Sequence, residues 1–169
     1  GFLPNSIDTA MRRMDEDAPR TYFFKGDQYW RITGLKQNVD SGYPRSIASG
    51  WSGQIFDDNN LQAAMYIPEG MIPDSNYYGG GSGISDDSSR NYFFNGNQVI
   101  RYKPYHGIDS GYPKNYGNGT GYFEGIPHDL DAALFNPYDN KLYWFKGNEV
   151  WRSTFLENGV DEGFPRLIQ

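Results

Sequence analysis

An aromatic segment of ten residues occurs three times in this 169-residue chain without a gap, and it constrains the fold more than any other feature. The copies are YFFKGDQYWR at residues 22–31, YFFNGNQVIR at residues 92–101 and YWFKGNEVWR at residues 143–152. Recurrence of this kind indicates a repeat architecture, in which each copy belongs to one structural unit.

Each copy contains two short aromatic and β-branched runs separated by Gly-Asp or Gly-Asn, which predicts a β-hairpin with a type II′ turn. Counting outwards from the first turn pairs Phe24 with Tyr29, and Phe23 with Trp30. Successive strand residues point to opposite faces, so both faces of the ribbon are apolar. Such a ribbon needs cover on both sides, which the blades of a β-propeller give one another. A sandwich with one polar face does not fit this pattern.

Two further segments recur in each repeat. Short runs ending in small residues open the repeats, as IDTA at 7–10, LQAA at 61–64 and LDAA at 130–133. They predict the innermost strand of each blade, where close approach needs small side chains. The second segment is VDSGYPR at 39–45, IDSGYPK at 108–114 and VDEGFPR at 160–166, which predicts a turn and then an extended outer edge. We therefore expect one domain, residues 1–169, with repeats at about 7–55, 61–127 and 130–169.

The second repeat differs from the others by a long excursion, residues 65–91, rich in Gly, Ser and Asp. Residues of these types do not build a core, so the excursion is predicted to be a surface loop. Paired tyrosines, Tyr77 and Tyr78, lie at its centre, and loops on rigid scaffolds often carry function.

Composition excludes several classes of protein. The net charge of -6 argues against a nucleic-acid-binding surface. No apolar run reaches 18 residues, so no membrane span is expected. The absence of cysteine excludes a disulfide framework and cysteine-ligated metal. Aromatic residues at 17%, with 21 Gly and 10 Pro, favour a turn-rich all-β protein.

Together the IDTA opening, the aromatic hairpin and the GYPRSI segment, which leads to Trp51, resemble the hemopexin repeat. The resemblance spans nearly the whole chain and implies hemopexin-like β-propeller blades. Members of that family form four-bladed propellers and include haem carriers, exosite domains of matrix metalloproteinases, a cell-adhesion glycoprotein, polyamine-binding or haem-binding seed albumins, and some lectins. The resemblance therefore implies a non-catalytic binding protein.

The chain departs from the family pattern in three respects. It has three recognisable repeats, it lacks the cysteine pair of vertebrate members, and it reaches Gln169 before the expected Trp-x-Gly tail. We expect the ring to be completed by another chain or by missing sequence, and we expect a homo-oligomer.

The resemblance also implies an ion in the central channel, held mainly by backbone carbonyls near the inner strands. By position this role falls on Asp8, Gln62 and Asp131, and oxygen ligands suit calcium or sodium. The alternative is that these side chains only cap turns.

Haem is not expected, because His106 and His128 are the only histidines and both fall in loop-like stretches. No catalytic residue is predicted either. The chain has no cysteine, no nucleophile-elbow motif and no His-Glu-x-x-His sequence.

Glycan binding needs an exposed aromatic ring and nearby polar groups, and every repeat supplies both. The candidate ligand-binding residues outside the predicted core are Trp51, Tyr77, Tyr78, Tyr105, Tyr116 and Tyr122. The alternative for each is packing between blades. We predict a lectin-like, extracellular protein, with two alternatives: a small-ligand carrier for haem or a polyamine, and a protein-interaction or exosite module of a larger extracellular protein.

Overall fold

Three antiparallel sheets, one for each repeat, make up the computed structural model, which describes residues 2–15, 17–51, 55–56, 61–68, 89–104, 106–117, 123–154 and 159–168. Blade 1 has strands β1 (Thr9–Met14), β2 (Pro19–Lys25), β3 (Gln28–Thr33) and β4 (Arg45–Ser46) in that order. Blade 2 has β5 (Ala63–Ile67), β6 (Arg90–Asn95), β7 (Gln98–Lys103), β8 (Gly107–Ile108) and β9 (Lys114–Asn115), with β8 and β9 both paired to β7. Blade 3 has β10 (Ala132–Asn136), β11 (Lys141–Lys146), β12 (Glu149–Ser153) and β13 (Arg166–Leu167).

The hairpin register predicted from the turns is confirmed in all three blades. Phe24 pairs with Tyr29 and Phe23 pairs with Trp30, and the equivalent pairs form in the other two hairpins. The first turn residues, Gly26, Gly96 and Gly147, have φ values of 55°, 57° and 58°. A positive φ at this position is the requirement of a type II′ turn that glycine meets without strain.

Blade 2 buries both of its faces, as the apolar pattern requires. Phe93 and Ile100 pack in one cluster with side chains of blade 1, and Phe94 and Val99 pack in another with side chains of blade 3. The inner strand β5 lies between β1 and β10. Ala63 and Ala64 are fully buried there, which agrees with the expectation of small residues on the innermost strands.

The outer faces of blades 1 and 3 are covered less well than the faces between blades. Phe23 on blade 1, and Phe145 and Val150 on blade 3, are half-buried, although the equivalent residues of blade 2 are buried. Leu134 shares the outer face of blade 3, by its register with Tyr143, and is 41% exposed. These two faces are therefore the apolar surfaces that the described residues leave open.

Two details differ from the sequence-based expectation. The excursion at residues 65–91 was predicted as a surface loop, but its ends are strands, because Met65 pairs with Tyr92 and Ile67 pairs with Arg90. Residues 69–88 lie outside the described part of the chain. A single helical turn, α1 (Ile47–Gly50), follows β4, with the Ser46 side chain accepting a hydrogen bond from the Ser49 N–H. No helix in the described ranges is long and apolar enough to cross a membrane.

Candidate functional site

The three residues predicted at the ion channel use their side chains to fix the hairpin turns. Asp8 Oδ2 accepts a hydrogen bond from Gly26 N at 2.7 Å, and Asp131 Oδ2 accepts one from Gly147 N at 2.6 Å. Gln62 Oε1 accepts the equivalent bond from Gly96 N at 2.6 Å, so an amide replaces the carboxylate without loss of the contact. The side chains therefore tie each inner strand to its own hairpin, which leaves main-chain carbonyls as the ligands for any cation.

Two of the predicted glycan-stacking residues belong to the core. Trp51 is 3% exposed and packs against Phe93 and Tyr102 of blade 2, and Tyr116 is 1% exposed and packs against Phe94. The prediction that they lie outside the core is wrong, because each ring fills space between hairpins and neither presents a free face. The other candidates, Tyr77, Tyr78, Tyr105 and Tyr122, lie outside the described residues.

Of the two histidines considered as haem ligands, His128 has a partner within the protein. Its Nε2 lies 2.7 Å from the main-chain oxygen of Tyr116, so this nitrogen donates to a carbonyl. His106 is exposed. In the described part of the chain, no group of three or more His, Cys, Asp or Glu side chains is placed to hold a metal ion.

Sequence reasoning missed an arginine–aspartate pair that recurs in every blade. Arg31 Nε donates to Asp40 Oδ2 at 2.7 Å, and the equivalent bonds join Arg101 to Asp109 and Arg152 to Asp161. The recurrence of both residues at nearly constant spacing was the available indication. The arginine also stacks on the aromatic ring that precedes each cis-proline, and a second cation stacks on the same ring.

A pocket of about 260 Å³ lies between blades 1 and 2, and cationic and aromatic side chains line it. Its cations are Arg13, Arg31 and Arg45. Its aromatic walls are Tyr22, Tyr29, Tyr43, Trp51 and Tyr102. Gly50 completes the lining because a Cβ at this position would collide with the Tyr29 ring. The pocket thus combines flat apolar surfaces with guanidinium donors in one partly enclosed space.

Two arginines of the pocket already have carboxylate partners. Arg13 Nε lies 2.6 Å from Asp15 Oδ1, and Arg31 is paired with Asp40. Burial raises the pKa of Asp40, but hydrogen bonds from Thr33 and Arg31 outweigh this and hold that pKa below its usual value. Burial also raises the pKa of Tyr29 to about 12, so its hydroxyl stays protonated and available as a donor.

Trp51 is a buried donor in this pocket. No acceptor for its indole Nε1 lies among the described residues, although the side chain is almost fully buried. Trp144 of blade 3, in contrast, donates its indole N–H to Ser153 Oγ at 3.2 Å. An unpaired buried donor costs about 1–3 kcal/mol, so an acceptor from outside the described chain would stabilise this site.

The polar lining is particular to the first interface between blades. Phe123 takes the place of Trp51 at the second interface, since it contacts Tyr92, Phe94 and Trp144 as Trp51 contacts Tyr22, Phe24 and Phe93. Ile67 stands at the strand position of Arg13, Val99 at that of Tyr29, and Leu142 at that of Asn91. The pocket therefore does not follow from the repeat, which builds an apolar junction elsewhere.

Stacked antiparallel blades on a row of inner strands define a protein of the β-propeller class. The family model Hemopexin matches residues 7–53 and 130–169, which leaves the divergent second repeat outside the match. The interstitial collagenase of Sus scrofa is 30% identical over 154 residues, covering 90% of this chain and 27% of that protein. Matrix metalloproteinase-21 of Xenopus laevis is 29% identical over 155 residues, covering 88% of this chain and 22% of that protein. The chain belongs to the hemopexin family, and it spans about a quarter of the length of these relatives.

Solved structures show the same fold. A hemopexin fold protein from cow pea superposes with a TM-score of 0.63 at 19% identity, over 96% of this chain and 68% of that one. A plant lectin with two metal binding sites from Cicer arietinum gives a TM-score of 0.63 at 18% identity, over 97% of this chain and 69% of that one. The recognition of hemopexin-like blades from the sequence is thus confirmed.

Proposed function

We propose that this chain is a non-catalytic, extracellular binding module whose ligand is a glycan. The observation that carries the proposal is the pocket between blades 1 and 2. Sugar rings stack on aromatic faces, and their hydroxyl groups accept hydrogen bonds from guanidinium and phenol donors. Both kinds of group line this pocket, and the solved chickpea protein of this fold is described as a lectin.

The state of the carboxylates near the pocket supports binding without catalysis. Asp15 is held by Arg13 and Arg20, and Asp40 is held by Arg31 and Thr33. A general base needs a pKa near the working pH and access to its substrate. Asp40 has neither, because its pKa is lowered and its oxygens are occupied by hydrogen bonds.

The proposal is tested by screening the purified chain on an array of neutral and acidic glycans, with retained ligands re-measured in solution. We expect binding that is lost when Tyr43→Ala removes one aromatic wall of the pocket. Tyr138→Ala is the matched control, because Tyr138 is 97% exposed and lies outside the pocket. If no glycan binds the wild-type chain, the glycan assignment fails.

A second candidate function, protein interaction, is favoured by the open outer face of blade 3. Ala132, Leu134, Phe145 and Val150 share this face, and the equivalent surface of blade 2 is covered by a neighbouring blade. The occupant we infer is a second copy of this chain, whose own open blade 1 face presents an apolar sheet of matching repeat geometry. The test of self-association is given in the Discussion.

The small-ligand carrier alternative finds less support in this pocket. Three guanidinium groups oppose a polycation, and a volume of about 260 Å³ lies below the 300–1,000 Å³ that is typical of pockets for drug-sized ligands. Haem and polyamine binding stay predictions of the family resemblance. Haem absorbance on titration is the measurement that checks the first of them.

A further inference from the structure

We propose that the pocket between blades 1 and 2 selects an acidic sugar, and that Arg45 and the indole N–H of Trp51 recognise its carboxylate. This inference rests on the proposed function and names the class of glycan that the pocket accepts. It follows from the charge, the unpaired donor and the shape of the pocket.

Charge gives the first argument. Arg13 and Arg31 each have a carboxylate partner, whereas no carboxylate in the described part of the chain lies within ion-pair distance of Arg45. Arg45 Nε contacts only a main-chain oxygen, that of Gly42, at 3.3 Å. One positive charge is therefore uncompensated here, in a protein whose net charge is -6. A guanidinium group binds a planar carboxylate through two parallel hydrogen bonds.

Hydrogen bonding gives the second argument. Trp51 lines the same pocket, and its buried Nε1 has no acceptor among the described residues. The side-chain amide of Asn91, fully buried on the blade 2 side, has none either. Polar atoms left unpaired in one interior region indicate that an external group completes their hydrogen bonding. A carboxylate oxygen is a strong acceptor for the indole N–H.

Shape gives the third argument. Tyr43 is stacked between Arg31 and Arg45, each about 4.8 Å from its ring, so its faces are occupied by cations. Tyr22, Tyr29 and Tyr102 supply the other aromatic walls. The small volume suits one sugar ring with its acidic group, and an extended acidic peptide would have to leave most of its backbone outside.

The contrast with the second interface shows that this chemistry is not imposed by the fold. Ile67, Phe123 and Ser153 occupy the strand or packing positions of Arg13, Trp51 and Tyr102. There the only indole, that of Trp144, already has a partner. Substitutions that exchange the two chemistries are therefore compatible with the same packing, which supplies the variants for a test.

The test is a titration of the full chain with D-glucuronate, its uncharged methyl ester and D-glucose, followed by NMR. We expect millimolar affinity for glucuronate, weakened by salt, and binding roughly tenfold weaker for the two neutral sugars. Arg45→Gln should weaken glucuronate binding roughly tenfold, and Trp51→Phe should weaken it several-fold while keeping an aromatic ring in place. Arg166→Gln is the matched control, because Arg166 makes the same local contacts in blade 3, outside the pocket.

Each outcome separates this inference from the proposed function. Equal affinity for charged and neutral sugars overturns the acid selectivity and leaves glycan binding intact. A sulfated sugar bound more tightly than glucuronate overturns the carboxylate assignment. An acidic tetrapeptide bound through Arg45, with no sugar acid bound, overturns both. Glucuronate binding that Arg45→Gln and Arg166→Gln reduce equally also overturns the inference, since it would reflect charge alone.

Discussion

Single residues do most of their work in this protein by binding neighbouring segments together. Asp40 accepts hydrogen bonds from Arg31, from Thr33 Oγ1 at 2.6 Å and from Thr33 N, so one carboxylate joins the end of β3 to the following turn. Asp161 makes the corresponding contacts with Arg152 and Thr154 N. The lowered pKa of both carboxylates reflects these donors outweighing the effect of burial.

These contacts predict an acid-dependent stability. Because the pKa of Asp40 is lowered in the folded state, its stabilisation is complete above the ordinary value of 3.8 and is lost as the pH falls through the lowered pKa. Thr33→Val removes one donor, and we expect it to lower the free energy of unfolding by about 1–2 kcal/mol at neutral pH. Urea unfolding should show this difference narrowing between about pH 5 and about pH 3.

Thr21→Val is the control for that experiment, because Thr21 is half-buried in β2 and pairs with Ile32, with no carboxylate opposite. Its effect on the free energy of unfolding should not vary with pH. A loss in Thr33→Val that stays constant down to pH 3 would contradict the assigned role of the Asp40 hydrogen bonds.

At the scale of elements, the inner strand and the hairpin of each blade are fastened at one point. Asp8, Gln62 and Asp131 each accept the N–H of the turn glycine of their own blade. The same positions were expected to surround an ion through main-chain carbonyls. The two roles involve different atoms, so a strand start can cap its hairpin and also face a cation.

We predict that these two roles separate by mutation. Asp131→Ala removes the acceptor for Gly147 N and should lower the free energy of unfolding by about 1 kcal/mol, whereas Asp131→Asn should cost less because an amide oxygen can replace it, as Gln62 does. Calcium or sodium should raise the melting temperature of wild type and both variants equally, as followed by calorimetry with and without a chelator. Loss of the ion effect in Asp131→Ala alone would show that the carboxylate is itself a ligand.

At the scale of the whole molecule, cover is unequal. Blade 2 is enclosed between two neighbours, and the outer faces of blades 1 and 3 keep half-buried aromatic and aliphatic side chains. A sheet that is apolar on both faces is stable in water only when both are covered. The expectation of a partner for these faces therefore stays a prediction with a defined surface.

Self-association is checked by light scattering, where we expect a mass that is a multiple of 19.3 kDa. Leu134→Lys places a charge on the outer face of blade 3 and should shift the protein towards the monomer, because a charge in an apolar interface must be desolvated. Leu35→Lys is the matched control, since Leu35 is 90% exposed after β3 and lies away from that face. A wild-type monomer at all concentrations would refute the second-copy proposal.

The sequence by itself determined the hairpins, their register and the inner and outer strands, because turn glycines and period-two alternation are local properties that one chain segment contains in full. It also determined that each blade needs neighbours, since both hairpin faces are apolar. The tertiary structure alone decided which aromatic rings remain accessible. Trp51 and Tyr116 are distant in sequence from the hairpins that bury them, so their local pattern resembled a surface.

The pocket likewise depends on residues that the sequence separates. Arg13, Arg45, Trp51 and Tyr102 come together only when blade 2 packs on blade 1. In the sequence Arg13 is one basic residue on a strand, and its departure from the apolar residue at the same position in the second repeat, Ile67, was the one visible trace. Local periodicity fixes which face a side chain takes, but the packing of one blade on another decides which faces enclose a site.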